Sequence, residues 1–136
     1  MKRLYIESTS ISPEIHFSPD ENIFLIKGNS SPEDVRAMYY PVIEWIKVFV
    51  DDVIEGEYKI FTAENPLRFQ TDLEYFNSSS AKFFYDIFTE LNRLQGSDIP
   101  VVVEWFHDAE DIDSKEAGSD IASLVGMEFT FVPKNK

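Results

Sequence analysis

The stretch 67–106 constrains the fold more than any other part of the chain. Leu67, Phe69, Thr71, Leu73 and Tyr75 alternate with Arg68, Gln70, Asp72 and Glu74, the two-residue period of a strand with one wet face. The period then changes. After the polar run Asn77-Ser78-Ser79-Ser80, apolar residues recur at Phe84, Ile87, Phe88, Leu91 and Leu94, which is helical spacing, and Gly96 stops the run. Val101 to Phe106 follows as a β-branched, nearly continuous apolar strand. A strand, a helix and a strand in succession imply parallel pairing through a right-handed crossover.

The flanking sequence extends this pattern. Glu14–Ser18 reads as a short edge strand and Ile23–Ile26 as a covered one. The turn cluster Pro19-Asp20-Glu21-Asn22 joins them in a hairpin. Gly28-Asn29 breaks the second strand. Ser30, Ser31, Pro32, Glu33 and Asp34 then make a helix start, with Ser31 as cap and Pro32 in the first turn. The stripe Val35, Met38, Tyr39, Val42, Ile43, Ile46, Phe49 and Val50 continues it towards Asp51-Asp52, and Pro41 inside it predicts a kink or a split. Tyr58–Thr62 is a candidate short edge strand. A weaker helical stripe (Ala117, Ile121, Leu124, Val125) ends at Gly126, and Glu128–Val132 alternates as a last strand. The expected fold is a single α/β domain over residues 1–136, ordered β-β-α-β-α-β-α-β. It has a mixed, mostly parallel sheet of about five strands and helices mainly on one face. Residues 1–12 are expected to be loose and 133–136 frayed.

Composition narrows function by exclusion. Twelve basic against 25 acidic residues give a formal charge of −13, which opposes binding to nucleic-acid phosphates or anionic lipid. Cysteine is absent, so disulfides, thiolate metal sites and cysteine nucleophiles are excluded. After the basic start Met1-Lys2-Arg3, Glu7 and the polar run Ser8-Thr9-Ser10 leave no room for the apolar core of a signal peptide, and no apolar stretch is long enough to span a membrane. The default expectation is a cytoplasmic protein.

Enzyme signatures are sparse. The chain has neither a glycine-rich phosphate loop nor a G-x-S-x-G elbow. His16 reads as a structural imidazole. His107 precedes Asp108, Glu110 and Asp111, a set that could hold a divalent metal but more simply forms a solvated loop. Glu104 interrupts the apolar strand. The remote enzymatic alternative is a carboxylate-dependent hydrolase using Glu104, Asp108 and Asp111. Trp45 and Trp105 read as core aromatics.

The informative segment is Leu73-Glu74-Tyr75-Phe76-Asn77-Ser78-Ser79-Ser80-Ala81-Lys82. A strand enters a helix through a string of amide and hydroxyl side chains. Free N–H groups and the positive dipole end favour a phosphate there. Ordinary N-capping is the simpler reading, and it accounts for one cap residue.

This segment resembles the signature of the SiaC family of bacterial regulatory phosphoproteins: leucine, a polar residue, Tyr, Phe, Asn, Thr or Ser, Ser, Ser, then a helix. Four more blocks agree, in order: Gly28-Asn29-Ser30-Ser31-Pro32-Glu33, Tyr40-Pro41-Val42-Ile43-Glu44-Trp45, Val103-Glu104-Trp105-Phe106, and Glu110-Asp111-Ile112-Asp113 with Glu116-Ala117-Gly118. The likeness runs from about His16 to Val132. It implies a STAS-like fold, similar to anti-sigma-factor antagonists, and a non-enzymatic switch without a cofactor. In such a switch a Ser/Thr kinase phosphorylates the hydroxyl after the Asn and a metal-dependent phosphatase removes the phosphate. In the best-understood systems the unphosphorylated form activates a diguanylate cyclase, which tunes cyclic-di-GMP and biofilm behaviour. The acceptor maps onto Ser78, where well-described members carry Thr, with Ser79 and Ser80 as backup acceptors. The implied partner-binding residues are Asn77, Ser78, Ser79 and Lys82, and the exposed edge at Glu14–Ser18 is a second docking surface. The alternative is a constitutive interaction module of the same fold in which Ser78 only serves the helix start.

Overall fold

The computed structural model describes residues 2–56 and 59–135. One six-stranded sheet carries strands β1 (Leu4–Ile6), β2 (Glu14–Ser18), β3 (Ile23–Ser30), β4 (Leu67–Phe76), β5 (Val101–Asp108) and β6 (Phe129–Lys134), in that spatial order. The three N-terminal strands pair antiparallel; β3 to β6 pair parallel. Helices α1 (Val35–Ile54), α2 (Ser78–Gly96) and α3 (Ile112–Val125) connect the parallel strands. Because those strands follow one another in sequence order, right-handed crossovers place all three helices on the same face. No helix among the described residues is long and apolar enough to cross a membrane.

The covered face is the core. Phe17, Phe24, Ile26, Phe69, Val103, Trp105 and Phe129 point into it and meet Tyr39, Ile46, Phe49, Phe84, Phe88 and Leu91 from α1 and α2. The opposite face stays open. One row crosses all six strands in register, Tyr5, His16, Leu25, Gln70, Glu104 and Thr130, and none of these is buried. The alternation in β4 foreshadowed this asymmetry, although Tyr75, at the strand end beyond the helices, is exposed rather than inward.

Several expectations are corrected. The sheet has six strands, not five, because residues 4–6 of the segment expected to be loose form β1. Its lead-out is ordered by Thr9, whose Oγ1 accepts from the Ile11 and Ser12 amides, and by the Ser31 N–H donating to the Ile11 carbonyl. Glu14–Ser18 is therefore an interior strand, since β1 occupies the edge assigned to it. Gly28, at φ +124°, does not end β3 but absorbs a register shift, and pairing with β4 continues to Ser30. Asp34, not Ser31, caps α1 by accepting from the Ala37 amide at 3.1 Å. Pro41 does not split α1. It and Ala37, whose carbonyl it leaves without a helical donor, are both exposed, so water can replace the lost bond.

Tyr58 lies outside the described residues, and residues 59–62 form no strand. There Phe61 is buried against Phe24 and Phe49, and Thr62 and Asn65 exchange backbone hydrogen bonds that a ladder would need. At the other end, β6 runs through Pro133 and Lys134. The Lys134 ammonium pairs with Asp72 on β4, so these residues of the expected frayed tail are held in the sheet.

Candidate functional site

The junction between β4 and α2 is built by tertiary contacts as much as by local capping. Asn77 stands in extended conformation before the helix, and its Oδ1 accepts from the Ser80 amide at 2.9 Å, the bond expected of a cap. The same oxygen accepts from the Ser79 hydroxyl at 3.0 Å. The Asn77 amide donates to the carbonyl of Ser30, the last residue of β3.

Ser80 turns inward and is fully buried. Its hydroxyl donates to the Ser30 carbonyl at 3.0 Å and accepts from the Ser30 hydroxyl at 2.8 Å. With both protons committed, the 2.5 Å contact between Ser30 Oγ and Tyr39 Oη leaves Tyr39 as donor. A one-way chain thus runs Tyr39 to Ser30 to Ser80 to the Ser30 carbonyl, tying α1, β3 and α2 at one buried point. Burial pushes the Tyr39 phenol up to about 12, so it stays protonated as this donor role requires.

The three serines therefore occupy three situations. Ser80 is buried and fully bonded, and no enzyme can reach it in this fold. Ser79 is exposed, but its hydroxyl is held by Asn77. Ser78, the first residue of α2, is exposed, and its hydroxyl has no hydrogen-bond partner among the described residues. Lys82 lies one turn further along α2. It pairs with Asp86 at 3.8 Å, its ammonium sits 5.1 Å from the Phe83 ring centroid, and it lines a groove between α1 and α2. Tyr40 lines the same groove, and both Tyr40 and Tyr75 expose more than half their surface.

Of the residues of the hydrolase alternative, Asp108 and Asp111 line one pocket with Glu110, but Glu104 does not join them. Glu104 lies on the open face, where Arg68 (2.7 Å) and Gln70 (3.0 Å) donate to its Oε1. His107, an odd-numbered neighbour on β5, points to the covered face and is buried. Asp108 and Asp111 serve their own chain, accepting from the Glu110 amide at 2.9 Å and, as cap of α3, from the Ser114 amide at 3.0 Å. No cluster of three His, Cys, Asp or Glu residues suited to a metal is present among the described residues. His16 sits on the open face with its ring edge-on to Tyr5.

Of the residues singled out in the sequence, Asn77, Ser78 and Ser79 stand at the junction and Lys82 one turn beyond it, whereas Ser30 and Tyr39, which the sequence did not mark as part of it, are built into it. Ser30 read as part of a helix start and Tyr39 as one apolar stripe member. The link from Ser30 to Ser80 spans 50 positions, and nothing local marks it.

A mixed sheet in sequential strand order, with all three helices on one face and an exposed hydroxyl at a helix start, defines a single α/β domain. The chain belongs to the SiaC family: the signature of the SiaC family regulatory phosphoprotein matches residues 6–134. It is a regulatory protein rather than an enzyme. An uncharacterized protein of Pseudomonas aeruginosa strain UCBPP-PA14 is 28% identical over 108 residues, covering 79% of this chain and 78% of that one. The apo-SiaC crystal structure from Pseudomonas aeruginosa superposes with a TM-score of 0.81 at 25% identity, over 97% of this chain and 99% of that one. SiaC bound to the diguanylate cyclase SiaD, which it activates, from the same organism, gives 0.79 at 25% identity, over 98% and 99%.

Proposed function

We propose that this chain is a phosphorylation-controlled switch of the cytoplasm and that Ser78 is its acceptor. The observation that carries the reading is the sorting of the three serines: only Ser78 is both exposed and uncommitted. The site also tolerates the modification. A phosphate at the first helical residue meets the positive dipole end and the free amides of the first turn, so α2 is stabilised rather than melted. The cost falls on whatever docks there. About −1.5 to −2 charges added next to exposed Tyr75 would have to be desolvated by a partner, and an acidic partner would be repelled.

A Ser/Thr kinase and a metal-dependent phosphatase set the state of Ser78, and the unmodified form engages a signalling effector. The complex of the relative SiaC with the cyclase SiaD supports a diguanylate cyclase as that effector, and with it an output in cyclic-di-GMP and biofilm control. Asn77, Ser78, Ser79 and Lys82 form the centre of the contact surface.

The test has two parts. Intact mass and fragmentation of the protein from its native host, across residues 67–93, is expected to place one phosphate on Ser78. In pull-downs, Ser78→Ala is expected to retain the effector and Ser78→Asp to lose it. Equal binding by both variants, with an unmodified mass in every growth state, would leave only the constitutive module.

A further inference from the structure

We propose that Lys82 is the intramolecular reader of the phosphate on Ser78, exchanging Asp86 for it and so changing the charge of the groove between α1 and α2. The proposal rests on Ser78 as the phosphorylated residue and adds how the mark is sensed within the chain. Lys82 now holds Asp86 at 3.8 Å with its side chain 72% exposed, a weak surface pair. The order is also the less favourable one: on a helix, an acid four residues before a base is better placed than the reverse. Ser78 stands four residues before Lys82. A phosphate there supplies the favoured order and nearly twice the charge of a carboxylate.

The exchange has a structural consequence beyond α2. The groove of about 310 Å³ is lined by Tyr40, Ile43 and Phe83 together with Lys47, Lys82, Glu44 and Asp86. Its charges are balanced, two lysines against two acids. When Lys82 swings back towards Ser78, Lys47 alone faces Glu44 and Asp86, and the Phe83 ring loses the ammonium that lies 5.1 Å from its centroid. Phosphorylation thereby turns a neutral, cation-covered groove into an acidic one with an uncovered aromatic. The effect reaches across to α1 without any movement of the backbone.

The experiment installs phosphoserine at position 78 by genetic-code expansion and compares the parent chain with Lys82→Gln and Lys82→Arg. Lys82 is an exposed side chain, so all three are expected to fold. Phosphorus NMR across pH reads the second ionisation of the phosphate, ordinarily near about 6. It is expected to be lower by roughly 0.3 unit or more with Lys82 than with Gln, restored by Arg, and equalised in ~1 M salt. Carbon NMR of the Asp86 carboxylate and the Phe83 ring is expected to shift on phosphorylation in the parent and not in Lys82→Gln. Identical phosphate titrations in the parent and Lys82→Gln, with unmoved Asp86 and Phe83 signals, would overturn the proposal. Because the phosphate is built in, this result is independent of any kinase. A host protein that never carries phosphate on Ser78 would instead overturn the functional reading.

Discussion

Gly118 sits in the middle of α3, where alanine would ordinarily stabilise a helix by about 1 kcal/mol. Here the sign reverses. A Cβ at this position would lie 2.7, 2.7 and 2.8 Å from Cδ2, Cε2 and Nε1 of Trp105, well inside contact distance. The indole cannot retreat easily. It is 1% exposed, stacked on Phe129 and edge-on to Phe76, and its Nε1–H donates to the Ser114 carbonyl at 3.1 Å. Either α3 lifts or the ring turns. Overpacking of this kind costs about 1–3 kcal/mol. A ring that turns also leaves a buried N–H unpaired, for about 1–3 kcal/mol more. Set against the propensity gain, Gly118→Ala is expected to destabilise by about 1–5 kcal/mol if the ring turns and by up to about 2 kcal/mol if α3 lifts.

The matched control is Gly96→Ala at the end of α2, where nothing lies within 4 Å. It is expected to be neutral or stabilising by up to about 1 kcal/mol. Urea unfolding of both variants gives the free energies, and near-UV circular dichroism reports whether the indole has turned. A Gly118→Ala protein as stable as the parent, with an unchanged tryptophan signal, would refute the argument that the ring fixes the helix.

Two further substitutions probe the buried polar groups. Tyr39 ionises at about 10 when unfolded and about 12 when folded. Above pH 10 the unfolded state loses the proton first, so the stability of the parent is expected to fall by about 2–3 kcal/mol between pH 10 and 12. Tyr39→Phe should lack that component of the fall; parallel alkaline unfolding curves would argue against a shifted Tyr39. Thr71 is fully buried between Ile26 and Trp105 on neighbouring strands, and its hydroxyl has no partner among the described residues. Thr71→Val removes that group at nearly constant shape and is expected to raise stability by about 1 kcal/mol in thermal or urea unfolding, whereas a loss would show that the hydroxyl is in fact satisfied.

The parts of the fold legible in sequence were those in which local periodicity and burial agree. β4 was predicted at its observed bounds because every second residue meets the helices until the strand outruns them. The helix from Ser78 to Gly96 was marked at both ends by Asn77 and Gly96, whose chemistry is local. Misreadings arose where two signals competed. Ser31 and Asp34 are both good caps by residue type, and the spacing does not choose between them; in the structure it is the Asp34 side chain that accepts from the Ala37 amide. Residues 4–6 carry too short a pattern to declare a strand, and only the free edge of β2 makes them one.

The sequence by itself determined the order of the main elements from Glu14 onward, the parallel crossovers, the acidic surface and the junction where Asn77 meets three serines, since each follows from spacing, side-chain chemistry or count. Tertiary structure decided which serine is available. Ser78, Ser79 and Ser80 are chemically alike and adjacent, and they differ only in what the rest of the chain brings to them. One full turn of helix takes about 3.6 residues, so three consecutive side chains point in three directions. Ser80 met Ser30 and Tyr39 in the core, Ser79 met Asn77, and Ser78 met solvent.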